Sequence, residues 1–117
     1  MTTQKLSNYS YGPACFQEMP EVLATYGFQS IVLIGGEKAL AAVENEILDV
    51  LQEAGISVTG SFVYGKAATM ANVEALAQLE EVQVADLIIG VGGGQALDTT
   101  KMVAKKLGKS LVTIPTI

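Results

Sequence analysis

Three consecutive glycines, Gly92-Gly93-Gly94, stand between the apolar run Leu87-Ile88-Ile89-Gly90-Val91 and a segment of helical periodicity carrying Gln95, Asp98 and Lys101. A strand, a bare turn and a helix in this order offer main-chain N–H groups to a phosphate. Glycine lets the backbone turn sharply and leaves no side chain between it and a ligand. The helix behind adds unpaired N–H groups and the positive end of its dipole. The chemistry indicated is recognition of a diphosphate, read here as the pyrophosphate of a nicotinamide dinucleotide. The plain alternative is a strand-to-helix turn of the kind every α/β protein contains, but three glycines after Gly90-Val91 exceed what a turn needs. The run is not the usual G-x-G-x-x-G fingerprint: Gly90 and Gly92 fit its first two places and Gln95 takes the third. Nor is it a P-loop, because no Gly-Lys-Ser/Thr closes it.

A second glycine pair, Gly35-Gly36, follows Ser30-Ile31-Val32-Leu33-Ile34 and leads into Glu37-Lys38. An acidic residue after such a strand would hold a ribose 2′-OH and refuse a 2′-phosphate. Here that place falls on Gly35 and Gly36. Glu37 could supply the carboxylate, and Lys38 could pair with a phosphate, so NAD and NADP both stay open. Cys15 is the single cysteine, and the sequence contains no histidine. With no imidazole to activate it, Cys15 reads as a packed thiol rather than a nucleophile. The usual nitrogen and sulfur site for zinc or iron cannot be assembled from these residues, and histidine general-base catalysis is excluded.

The elements that must position the glycines follow from periodicity and punctuation. Asn8-Tyr9-Ser10-Tyr11 alternates and reads as a short edge strand, turned by Gly12-Pro13. Phe16, Met19, Leu23 and Tyr26 have helical spacing, with Pro20 as a first-turn residue and Gly27 as the stop. After the strand at 30–34, the residues Leu40, Val43, Ile47, Val50, Leu51 and Ala54 form an amphipathic stripe ended by Gly55. Glu44, Glu46, Asp49 and Glu53 lie off it as a solvated face. Ile56 to Thr59 and Phe62 to Tyr64 read as a third strand broken by Gly60, with Gly65-Lys66 opening a loop. Thr69 or Asn72 caps one helix running through Val73, Leu76, Ala77 and Leu79 towards Val82. The helix after the glycine triplet puts Leu97, Ala104 and Leu107 on one side and ends at Gly108. Leu111-Val112-Thr113-Ile114 is the last strand. Alternation of strand and helix predicts an α/β fold, a parallel sheet with helices on both faces.

Length and charge narrow the classes. The chain has 117 residues, enough for one unit with a modest core. A net charge of −5 with only seven Lys and Arg argues against nucleic acid. No apolar run approaches a membrane span, and the N-terminus lacks the apolar core of a signal peptide. With one cysteine, a cytoplasmic location is expected. Half of the residues are hydrophobic and the mean hydropathy is +0.39, which is high for so short a chain and implies a surface covered by a partner subunit or a further domain. Ligands of such sheets sit beyond the carboxyl ends of the strands. Gly35-Gly36, Gly92-Gly93-Gly94 and Pro115-Thr116 all reach that rim, so the chain is expected to be the front part of a longer protein.

Gly-Val-Gly-Gly-Gly-Gln-Ala-Leu-Asp-Thr-Thr-Lys over 90–101 resembles the glycine motif of the iron-containing alcohol dehydrogenase superfamily, closest to its glycerol dehydrogenase branch. Ile114-Pro115-Thr116 is similar to that family's Ile/Val-Pro-Thr loop, and Tyr11-Gly12-Pro13 to its opening turn. The resemblance implies a Rossmann-like N-terminal domain over 1–117 that binds NAD(P). It implies that Gly92, Gly93, Gly94 and Gln95 hold the pyrophosphate, that Asp98 lies near the nicotinamide, and that Thr116 lines the adenine-to-pyrophosphate side. Thr113, Gly35, Gly36, Glu37 and Lys38 complete the cofactor-binding set. Asp98 equally suits the first turn of a helix with no ligand, and Lys101 could simply pair with it. The glycine pair departs from the aspartate of NAD-specific members, while the glycerol dehydrogenase likeness leans towards NAD. The family's zinc or iron, held by an aspartate and histidines in a helical C-terminal domain, would be absent from this chain along with its ligands. The resemblance thus implies the NAD(P)-binding part of an alcohol or polyol dehydrogenase, inactive by itself and part of a homo-oligomer. The alternatives are a stand-alone nucleotide-binding or oligomerising module, and a relative of dehydroquinate synthase or glycerol-1-phosphate dehydrogenase.

Overall fold

The computed structural model describes residues 9–10, 23–25, 27–64 and 69–115. Gly12-Pro13, Cys15, the Gly65-Lys66 loop and Thr116 lie outside the described residues, as does most of the helix expected before Gly27; residues 23–25 are helical. The strands are β1 (Tyr9–Ser10), β2 (Ser30–Gly35), β3 (Ser57–Val63), β4 (Leu87–Gly92) and β5 (Ser110–Pro115). The helices are α1 (Glu37–Glu53), α2 (Met70–Gln78), α3 (Glu80–Val84) and α4 (Gly94–Leu107). The five strands form one sheet in the order β1-β5-β4-β2-β3, and every pairing is parallel.

Helices cover both faces, as the alternation requires. On one face α1 buries Leu40, Val43, Ile47 and Leu51 against Ile31, Leu33, Ile89, Val112 and Ile114. On the other, α2, α3 and α4 bury Val73, Leu76, Val82 and Val103 against Val32, Ile34, Ile88 and Leu111. Each fully buried Leu, Ile or Val contributes about 1.5–3 kcal/mol, so β2 and β4, buried along almost their whole length, anchor the sheet. The residues 23–25, α1 and α4 end alike. In each case a glycine at positive φ (Gly27, Gly55, Gly108) and the residue after it return two N–H groups to the last turn.

Three expectations are corrected. Gly60 does not break the third strand: β3 is continuous, and the register beside β2 steps from Ile31↔Val58 to Val32↔Gly60, so Thr59 is an extra, bulged residue. Its Oγ1 donates to the Glu81 carbonyl at 2.6 Å. The helix expected from Thr69 to Val82 is two helices, because Leu79 is extended (φ −67°, ψ 131°). Its carbonyl starts α3 by accepting from Val82 and Gln83, and Gln83 Nε2 holds the end of α2 through the Ala77 carbonyl at 3.0 Å. The face of α4 turned to the sheet is Ala96, Thr99, Thr100, Val103 and Ala104, with Leu97 and Leu107 at its margins. The cause is Gly90: a Cβ there would strike Thr100, so the helix lies close enough to the sheet that only small side chains fit between them. Both threonines satisfy their hydroxyls within the helix, Thr99 on the Gln95 carbonyl and Thr100 on the Leu97 carbonyl, each at 2.8 Å. Among the described residues no helix is long and apolar enough to cross a membrane.

Candidate functional site

The glycine triplet sits where β4 gives way to α4, at the carboxyl rim of the sheet. Gly92 ends the strand with φ +140°, a conformation side chains rarely adopt, and a Cβ on it would lie 2.9 Å from the Ala96 Cβ. Here glycine is required by the fold. Gly93 and Gly94 differ: a Cβ on either would meet nothing within 4 Å. Gly93 is the N-cap of α4 and supplies no side-chain bond to the helix start. Leu97 N–H is taken by the Gly93 carbonyl at 3.0 Å, but among the described residues nothing accepts from the N–H groups of Gly93, Gly94, Gln95 or Ala96. Four adjacent donors at the positive end of a 14-residue helix are therefore tied to no carbonyl among the described residues; Gly93, Gly94 and Gln95 are exposed, while Ala96 is buried.

The start of α1 stands beside them. Gly36 is its N-cap, again with no side-chain bond, and Gly36 N–H donates to the Val91 carbonyl at 3.1 Å, so the two loops are joined. Between the helix starts lies an open cavity of about 460 Å³. Gly36, Lys38, Ala39 and Ala42 line it from α1, and Gly92 to Ala96 line it from α4. Tyr64 closes the end next to β3: its N–H donates to the Gly35 carbonyl at 2.9 Å, and its hydroxyl donates to Gln95 Oε1 at 3.5 Å. Among the described residues Lys38 is the one charged side chain of the lining.

Of the residues expected at a cofactor site, the fold thus brings together Gly36, Lys38, Gly92, Gly93, Gly94 and Gln95. Gly35 lies behind them, buried in β2, where a Cβ would strike the Val91 carbonyl; its glycine serves the sheet. Glu37 is exposed in the first turn of α1 and stands outside the lining. Asp98 is exposed on α4, also outside it, and among the described residues neither Asp98 nor Lys101 has an ion-pair partner. Thr113 is buried in β5, opposite Gly90 in the register. Sequence reading missed Tyr64, Ala39 and Ala42. The signal for Tyr64 was its place at the carboxyl end of a strand next to β2, on the rim where ligands of such sheets lie.

A parallel sheet wrapped on both faces, with its glycine loop on the carboxyl rim, makes this a Rossmann-like α/β fold. Residues 10–117 match the family model of the iron-containing alcohol dehydrogenases, and the chain belongs to that family. It is 34% identical over 86 residues to a glycolaldehyde reductase of Halobacterium salinarum, covering 74% of this chain and 23% of the relative. It is 30% identical over 115 residues to a glycerol-1-phosphate dehydrogenase [NAD(P)+] of Methanospirillum hungatei, covering 97% of this chain and 31% of the relative. Among solved structures, glycerol dehydrogenase from Schizosaccharomyces pombe superposes with a TM-score of 0.78 at 22% identity, over 98% of this chain and 28% of that one, a likeness of fold. The chain thus spans 23–31% of the length of these proteins.

Proposed function

We propose that this cavity seats the pyrophosphate of a nicotinamide dinucleotide, and that the chain is the NAD(P)-binding N-terminal domain of an alcohol or polyol dehydrogenase. One observation carries the reading: four adjacent main-chain N–H groups, at Gly93 to Ala96, without acceptors among the described residues, with open space where a Cβ on Gly93 or Gly94 would lie. Hydrogen bonds to an ionised oxygen contribute about 1.5–3 kcal/mol each, so two or three of these donors would dominate the binding. Gln95 and Tyr64 hold each other across the mouth and orient what enters. Gly93, Gly94 and Lys38 hold charge; Asp98, Glu37, Thr113 and Thr116 take supporting places around the seat at most. The bound cofactor supplies a hydride acceptor at its nicotinamide ring.

The family implies zinc or iron as well, and the residues of this chain do not fit it. There is no histidine in the sequence, and among the described residues no three His, Cys, Asp or Glu side chains cluster. No metal-assisted step is derived from these residues; the metal would be held by a helical C-terminal domain outside these 117 residues. The substrate is a small alcohol or polyol. The likeness to a glycerol-1-phosphate dehydrogenase over 97% of this chain favours keeping a phosphorylated polyol within that class. Whole molecules would assemble as cytoplasmic homo-oligomers, with the exposed Val63 and Met70 available for cover.

Titration of the chain with NADH and NADPH, followed by nucleotide fluorescence and thermal melting, tests the reading. Ligand at a hundred times its Kd adds about 2.7 kcal/mol, a clear rise in melting temperature. No response to either nucleotide removes the proposal. Glycerol oxidation by this chain alone at whole-enzyme rates would refute the division of binding from catalysis.

A further inference from the structure

We infer that the cavity prefers the dinucleotide bearing a 2′-phosphate, with Lys38 as the discriminating residue. The inference rests on the dinucleotide reading above and concerns the α1 side of the same cavity. A carboxylate directly after β2 is what holds a bare ribose and repels a phosphorylated one. That place is Gly36, which lines the cavity. Its glycine is not imposed by the backbone: φ −72° and ψ 151° suit any residue, and a Cβ would meet only Ala39 Cβ and Tyr64 Cε1, both at 3.9 Å. The fold would accept aspartate at 36 and does not have it.

The remaining charges point the same way. Glu37 and Lys38 are both exposed, but only Lys38 lines the cavity. An ammonium group gains a charge-assisted bond with a phosphate and only an ordinary one with a hydroxyl. Among the described residues the lining therefore offers a cation and no anion. The likeness to glycerol dehydrogenases leans towards NAD; the chemistry of the wall leans towards NADP.

Paired titrations with NADPH and NADH decide it, using the 117-residue chain, Lys38→Ala and Gly36→Asp, each shown to be folded by circular dichroism and a cooperative melt. The expected result is NADPH bound roughly five- to tenfold more tightly than NADH. Lys38→Ala should erase that advantage by weakening NADPH more than NADH; Gly36→Asp should reverse it. Should Lys38→Ala fail to fold, Gly36→Asp and the shrinking of the NADPH advantage with added salt carry the test. Equal binding, tighter NADH, or an advantage that survives Lys38→Ala overturns the inference and leaves the dinucleotide reading standing. Binding of neither nucleotide overturns both.

Discussion

At the amino ends of the strands, Asp86 Oδ2 accepts from Gln29 N–H at 2.8 Å and Ser30 N–H at 3.3 Å, while Asp86 N–H donates to Ser30 Oγ at 3.0 Å. Lys109 Nζ donates to the Ala85 carbonyl at 2.6 Å, and Gly27, Gly55 and Gly108 fold helix ends back onto themselves. At the carboxyl ends, α1 and α4 begin without side-chain caps, and the N–H groups of the N-cap Gly93 and of the first three residues of α4 have no acceptor among the described residues. One rim spends its polar groups on itself; on the other, the starts of α1 and α4 hold theirs in reserve. Exposed N–H groups cost little while water bonds them, and that water is exchanged when an anion arrives. The contrast teaches that stability and recognition are separated along the strands of a single sheet.

The largest effect should come where the contrast fails, at Gly92, which belongs to the open rim and is nonetheless structural. Gly92→Ala forces a side chain into φ +140° and against Ala96, and should cost about 2–4 kcal/mol. Denaturant melts would show it as a fall in midpoint; an unchanged midpoint would mean that this turn relaxes freely. Next is Asp86→Ala on the closed rim, expected to lose about 1–2 kcal/mol by removing an acceptor of two N–H groups. Dinucleotide affinity of the folded variant should not move, and a matching loss of affinity would show the rims to be coupled. The smallest effect on stability belongs to Gly93→Ala. Its φ of −85° suits alanine, nothing lies within 4 Å, and the shorter list of unfolded conformations favours the variant by up to about 0.5–1 kcal/mol. Binding should nevertheless weaken about tenfold or more as the methyl enters the phosphate seat. Unaltered binding would place the ligand elsewhere.

Much of the scaffold was legible in the residues. Leu40, Val43, Ile47 and Leu51 repeat with the helical period and are the buried face of α1. The β-branched runs at 30–34 and 87–91 are the central strands. What stayed hidden depends on contacts between distant segments. The apolar spacing runs through Leu79 without a break, and the extended Leu79 backbone with the Gln83–Ala77 bond across it shows where one helix becomes two. Spacing puts Leu97 on one side of α4 with Ala104 and Leu107, yet the close approach at Gly90 selects alanine and threonine for the face against the sheet. The site was half readable. Glycines after strands mark the rim, but which neighbours of a glycine turn inward depends on the phase of the helix, and Glu37 and Asp98 fall outside while Lys38 and Gln95 fall inside.

The extra residue at Thr59 sets more than a kink. Val58, Phe62 and Tyr64 are separated by even numbers of residues, and a regular strand would show all three on one side. Val58 instead packs with the α1 layer, and Phe62 and Tyr64 with the layer of α2, α3 and α4. One inserted position inverts the parity of the sheet's edge. By that inversion the phenol emerges on the side where Gln95 awaits it.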